Sequence, residues 1–140
     1  MRLVLDTNVV ASALLWGGMP RTLLQSAREK RIELVTSLPL LAELMDILGR
    51  PKFDAKIAAS MLSIDELVDR YRELATVVRP TPVSGVASDP DDDIVIGTGL
   101  AAEVDMVVTG DRPLLSLIAY KGMRIVSVAE AAVLAGITRQ

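Results

Sequence analysis

The chain reads as an α/β protein, a three-layer α/β/α sandwich with a central, mainly parallel sheet. Two observations point there. Apolar runs of strand length recur at residues 3–5, 33–36, 77–78, 106–109 and 124–126, and segments of helical period separate most of them. Strands alternating with helices in this way build a parallel sheet covered on both faces. At 140 residues the chain is expected to form one domain, spanning 1–140, that buries about two-thirds of its unfolded surface. Its residues are 51% hydrophobic but only 3% aromatic, so the core must be built from Val, Leu, Ile, Ala and Met.

In chain order, the strand at 3–5 leads into a helix at 8–15, and Gly17, Gly18 and Pro20 break that helix from the next, at 21–30. The strand at 33–36 precedes a helix at 39–48 whose apolar face is Leu40, Leu41, Leu44, Ile47 and Leu48. A long helix is expected at 54–74, then the short strand at 77–78. "RPTPVSGVASDP" has three prolines and no apolar periodicity, and reads as the one long loop. Helices at 91–104, 113–119 and 128–134 alternate with the last two strands, the second of them opened by Pro113. No internal repeat, low-complexity tract or linker interrupts the pattern.

The chain contains no cysteine and no histidine. Disulfides, thiolate nucleophiles, Cys/His zinc sites and every His-dependent triad are thereby excluded. An enzyme built from this sequence must work with carboxylates, hydroxyls, Lys, Arg or a bound metal or cofactor. The net charge of -3 argues against indiscriminate coating of nucleic acid, while leaving room for a local basic patch. Apolar stretches fall short of the roughly 18 residues a membrane span needs, and the start lacks the basic region of a signal peptide, so a cytoplasmic protein is expected.

The acids stand where such folds place their sites. Asp6 ends the first strand in "LVLDTNVV", where it serves either as a helix N-cap or as a metal ligand at the carboxyl end of a strand. Asp111 repeats the pattern in "MVVTGDRPLL". Asp89, Asp91, Asp92 and Asp93 crowd the start of an apolar helix, more acids than the helix dipole accounts for at about 0.3 to 1 kcal/mol each. Two unit charges about 4 Å apart at an effective dielectric near 20 repel by roughly 4 kcal/mol, and a divalent cation reverses that sign. Glu43 lies on or beside an apolar helical face and must be paired, exposed at an edge, or coordinating; Asp46, three residues on, is its natural control.

Together, Asp6 in "LDTNV", Glu43 in "SLPLLAEL", the acidic helix start "DPDDDIVIGTGLAAEVD" and "VVTGDRPLL" resemble the PIN-domain family, in particular its branch of VapC-related toxin components of toxin-antitoxin pairs. The resemblance covers essentially the whole chain, including "GRPKF". It implies a Mg²⁺- or Mn²⁺-dependent ribonuclease that cleaves the phosphodiester with metal-activated water, with Asp6, Glu43, Asp92 and Asp111 as the catalytic, metal-holding acids. Oxygen-rich sites suit both ions and agree with the missing His and Cys. Within "DPDDD" the family pattern places apolar residues two and three positions after its third acid and a small residue at seven. Counting from Asp92 gives Ile94, Val95 and Gly99, whereas counting from Asp93 puts Leu100 at the small position. Asp89, about one turn earlier, is a further candidate acid. Gly97 and Gly99 depart from the Ala-rich helix of the family, and each costs up to about 1 kcal/mol relative to Ala.

Asn8 and Thr109 are candidate supports that hydrogen-bond Asp6 or Asp111, and a local turn or capping bond accounts for either equally well. Arg112, Arg50 and Lys52 are candidate RNA contacts. The resemblance further implies a homodimer and a protein antitoxin as partners, for which Trp16 and Met19, flanking the glycine pair, are candidate contacts. Two other readings compete. A receiver-like or phosphoryl-transfer domain also clusters Asp at strand ends, but it wants a second acid near the first strand, and the position two residues after Asp6 is Asn8. A noncatalytic PIN-fold module that binds RNA or protein is the other, although modules of that kind typically lose acids that this chain keeps.

Overall fold

A computed structural model of the chain describes residues 1–137. Six strands form one sheet: β1 (Arg2–Leu5), β2 (Glu33–Thr36), β3 (Thr76–Val77), β4 (Met106–Val108), β5 (Ala119–Tyr120) and β6 (Met123–Val126), in the order β3-β2-β1-β4-β6-β5. Every pairing is parallel except β5 with β6. The helices are α1 (Thr7–Leu15), α2 (Met19–Arg28), α3 (Leu38–Leu48), α4 (Asp54–Ser60), α5 (Ile64–Leu74), α6 (Pro90–Ala102), α7 (Arg112–Leu115) and α8 (Val128–Leu134).

Alternation along the strands divides the core in two. Leu3, Leu5, Leu34, Met106, Val108 and Val126 point to one face, under α1, α2, α3, α5 and α8. Val4, Val35, Val107 and Ile125 point to the other, where Val95 and Ile96 of α6 and Leu114 of α7 cover them. The three-layer α/β/α arrangement is therefore as the alternation of elements predicts. β1 registers Leu3 on Met106 and Leu5 on Val108, so the two central strands end level. From β1 the chain moves outward to β2 on one side, while β4 lies on the other. The carboxyl ends of β1 and β4 thus form the switch point at which open α/β sheets carry their sites.

Three elements differ from the sequence reading. The helix expected at 54–74 is two, because Met61 turns left-handed at φ 62° and Ser63 opens α5 with a capping box: Glu66 N–H donates to Ser63 Oγ and Ser63 N–H to Glu66 Oε1, both at 3.1 Å. The helix expected at 113–119 closes at Leu115, and beyond residues 116–118 Ala119 and Tyr120 form β5. A two-residue turn at Lys121 and Gly122, with φ 46° and 85°, then folds β5 back on β6. The strand expected at 77–78 is shifted by one residue.

The glycines of α6 have a packing role. A Cβ on Gly97 would collide with the carbonyl oxygen of Thr81, whose N–H donates to Gly97 O at 3.0 Å, so the 78–89 loop lies directly on the helix. A Cβ on Gly99 would meet Met123 Sδ at 2.8 Å and Val104 Cγ2 at 3.0 Å, so α6 sits close on the sheet.

Candidate functional site

Asp6 leaves β1 with its N–H donating to Val108 O at 2.8 Å, which fixes it beside the end of β4. It occupies the N-cap position of α1, yet its carboxylate makes no capping bond. Instead Oδ2 accepts from Thr109 Oγ1 at 2.7 Å, and Thr7 Oγ1 lies 3.5 Å from Oδ1. Only 5% of the residue is exposed, and none of the ion pairs among the described residues involves it. This buried carboxylate, with no Lys or Arg partner among the described residues, is held by the Thr109 hydroxyl.

Those hydroxyls tie the acids together. Thr109 Oγ1 also accepts from Asp111 N–H at 3.0 Å, so one buried side chain orients both strand-end acids. Thr7 Oγ1 donates to Glu43 Oε1 at 2.6 Å, bringing α3 to the site. Asp111 caps α7 through Oδ2, which accepts from Leu114 N–H at 3.0 Å, and lies within hydrogen-bonding reach of Asp92. Burial together with the charges of Asp111, Asp6 and Asp89 pushes the Asp92 carboxyl up to about 7. Burial also raises Glu43, with the charges of Asp6, Asp91 and Asp89 adding to it, against the opposing bond from Thr7.

Asp6 is thus linked through Thr109 to Asp111 and lies 3.5 Å from the Thr7 hydroxyl that holds Glu43, while Asp92 feels the charges of Asp111, Asp6 and Asp89. The other acids of "DPDDD" do different things. Asp89 caps α6 by accepting from Asp91 N–H at 3.0 Å. Asp93, 6% exposed, accepts from Gly85 N–H at 3.0 Å and Ala87 N–H at 2.7 Å, clamping the loop to α6. Asn8 is exposed and makes no hydrogen bond to Asp6 or Asp111 among the described residues. Thr109 holds both of those acids as expected, and the support that the sequence reading missed is Thr7, whose hydroxyl holds Glu43 and whose signal was a small hydroxyl residue directly after the strand-end acid.

The expected contact residues form no ion pair with Asp6, Glu43, Asp92 or Asp111 among the described residues. Arg50 stands 3.9 Å from Asp46 in an exposed pair, Lys52 Nζ lies 5.1 Å from the Phe53 ring centre, and Arg112 is exposed beside Asp111. Trp16 packs edge-on against Phe53 at 5.6 Å with Lys56 Nζ 5.2 Å from its ring, leaving 38% of the residue exposed. Met19 is partly buried against the core.

Among the described residues no three acids are gathered closely enough to ligate one ion as they stand. The donor set is nonetheless all hard oxygen, and none of Asp6, Glu43, Asp92 and Asp111 is paired with Lys or Arg among the described residues. That suits an ion which takes one or two carboxylates and fills its remaining positions with water and phosphate oxygens, as Mg²⁺ does.

A model of the PIN domain family matches residues 2–113. No match is found among curated protein sequences. Among solved structures, a chain in the crystal structure of VapBC2 from Rickettsia felis bound to a DNA fragment from their promoter is similar at a TM-score of 0.62 and 14% identity, covering 91% of this chain and 98% of that one. At that identity the likeness concerns the fold.

Proposed function

The chain belongs to the PIN-domain family, and from that premise we propose that it is a metal-dependent endoribonuclease, working as one catalytic domain and serving as the toxin of a toxin-antitoxin pair. The observation that supports the reading is the buried Asp6 carboxylate, joined through Thr109 to Asp111 and unpaired with any Lys or Arg among the described residues, beside an Asp92 carboxyl raised by burial and by the charges of Asp111 and Asp6.

Asp6, Glu43, Asp92 and Asp111 would hold Mg²⁺ or Mn²⁺, with Asp89 at the margin. When bound, the ion supplies charge neutralisation and activation of water for phosphodiester hydrolysis. The chain's own contribution is orientation. Thr109 aims Asp6 while holding the Asp111 backbone, and Thr7 aims Glu43. Burial of Asp6 and half-burial of Asp92 lower the local dielectric, which strengthens attraction to a cation. Arg112, Arg50 and Lys52 would meet the phosphates of RNA flanking the scissile one.

An assay on mixed RNA tests the chemistry. Cleavage is expected with Mn²⁺ or Mg²⁺ and not with chelator; an inert wild-type protein under both conditions would leave the noncatalytic RNA- or protein-binding module as the better reading. For the partners, the reading implies a homodimer in the cytoplasm and an antitoxin that covers exposed apolar surface including Trp16. No helix among the described residues is long and apolar enough to cross a membrane. Trp16 emission is expected to shift when a cognate antitoxin binds, and unchanged emission on both complex formation and dimer dissociation would remove Trp16 from either interface.

A further inference from the structure

Ser37 follows β2 at the N-cap position of α3, is fully buried, and is of a residue type that caps well. It makes no capping bond. Its Oγ lies 2.9 Å from Oγ1 of Thr98, which is fully buried in α6. The Thr98 hydroxyl donates its single proton to Ile94 O at 2.7 Å. The bond between the two hydroxyls therefore runs from Ser37 as donor to Thr98 as acceptor.

The placement of this bond gives it a consequence. Ser37 stands six residues before Glu43 on α3, and Thr98 six residues after Asp92 on α6. Most of the buried face of α3 packs in one half of the core, through Leu41, Leu44, Ile47 and Leu48, while α6 packs in the other. Among the described residues, Ser37 to Thr98 is the only side-chain hydrogen bond joining the two elements. A buried bond between neutral groups is also insensitive to salt and to pH in the working range.

We propose that Ser37 and Thr98 are positioning residues that set the separation of the Glu43 and Asp92 carboxylates, and through it the affinity of the site for a divalent cation. The proposal rests on the metal-dependent reading of the site. Loss of a group hydrogen-bonded directly to a ligand typically costs 10- to 100-fold in metal affinity, and a bond that acts through the two helices is expected to fall at the low end of that range. About tenfold weaker Mn²⁺ binding is therefore expected for Thr98→Val, which keeps shape and removes the hydroxyl, and for Ser37→Ala. The two act through one contact, so the double variant is expected to bind little worse than either single one.

Calorimetric titration with Mn²⁺ alone, on proteins shown to be folded by circular dichroism, reads the affinity without relying on activity. Thr98→Ser restores the hydroxyl and is expected to recover most of the wild-type affinity. If Thr98→Val does not fold, Ser37→Ala reads the same contact with a smaller change of volume. Wild-type Mn²⁺ affinity in folded Ser37→Ala would overturn the proposal and leave the metal-dependent reading standing. Additive losses in the double variant would overturn it as well, by showing two independent structural effects. A wild-type protein that binds no Mn²⁺ would overturn the reading of the site, and this proposal with it.

Discussion

Asp6 and Asp111 both open a helix after a parallel strand, and they use the position differently. Asp111 spends one oxygen on a capping bond, whereas the Asp6 carboxylate caps nothing and is aimed by Thr109. Replacing Asp6 by Asn therefore costs no cap, leaves an oxygen to accept from Thr109, and removes a buried charge that has no cation. RNA cleavage by Asp6→Asn is expected to fall at least about a hundredfold, with a melting temperature equal to or above wild type. Turnover near the wild-type rate would sink the assignment. Glu43 and Asp46 offer a comparison within one helix. Glu43→Gln is expected to lose activity comparably, while Asp46→Asn, whose partner Arg50 is an exposed side chain 3.9 Å away, should keep activity and shift stability by less than about 1 kcal/mol. Equal losses in the two would point to general electrostatics. At this scale the sequence showed which acids stand at strand ends but not what each carboxylate faces. Asp92 and Asp93 are adjacent in the chain, and only the fold sends one toward Asp111 and the other into the backbone of the loop.

Among the elements, α6 carries the most constraint, since its first turn supplies Asp92, its side holds the loop through Asp93 and Gly97, and its far half lies on the sheet at Gly99. Gly97→Ala would force the loop backbone at Thr81 off the helix, a cost of about 1 to 3 kcal/mol for overpacking against main chain that cannot rotate away. Faster amide exchange at Thr81, Gly85 and Ala87 is expected to accompany it. Gly17→Ala, whose Cβ would meet nothing within 4 Å, is the matched control and should be near neutral. A Gly97→Ala protein as stable as wild type or more so would show that helix propensity rather than contact governs Gly97. The periodicity of this helix was legible in the sequence; the reason for its glycines was not, because it lies in the 78–89 loop for Gly97 and in the sheet for Gly99. The break between α4 and α5 was legible in principle, since Ser63 and Glu66 have capping-box spacing, but the apolar period runs across it. β5 is only two residues long, and Ala119 reads as the end of the helix expected at 113–119.

Across the whole molecule, the alternation of strands and helices fixes a sheet whose central strands end together, and that geometry brings Asp6 and Asp111 to one edge, where Asp92 feels both charges. Their repulsion is part of the stability of the protein. The Asp92 carboxyl is raised from 3.8 to about 7 and Glu43 is raised too, so each opposes folding when ionised. The penalty is full above the raised value, relieved as pH falls through it, and absent below the unfolded value. Glu33 acts the other way. The Arg2 guanidinium beside it holds its carboxyl below the usual range, so its contribution is present above about pH 4.5 and lost as pH falls through the lowered value. The metal-free melting temperature is therefore expected to rise as pH is lowered from about 8 to about 5 and to fall again in stronger acid. Water reaches Asp92 and screens much of its penalty, so Asp92→Asn should stabilise the metal-free protein at neutral pH by about 1 kcal/mol. Mn²⁺ relieves the same repulsion by binding the native state, by about 2.7 kcal/mol at a hundredfold excess over its dissociation constant. The gain should shrink at about pH 5, where the acids take up protons in place of the ion, and in Asp92→Asn, where a ligand charge is gone. Thermal scans across pH, with and without the cation, check both effects. A melting temperature indifferent to Mn²⁺ at neutral pH, at concentrations that support cleavage, would mean that these acids do not act as one preorganised site.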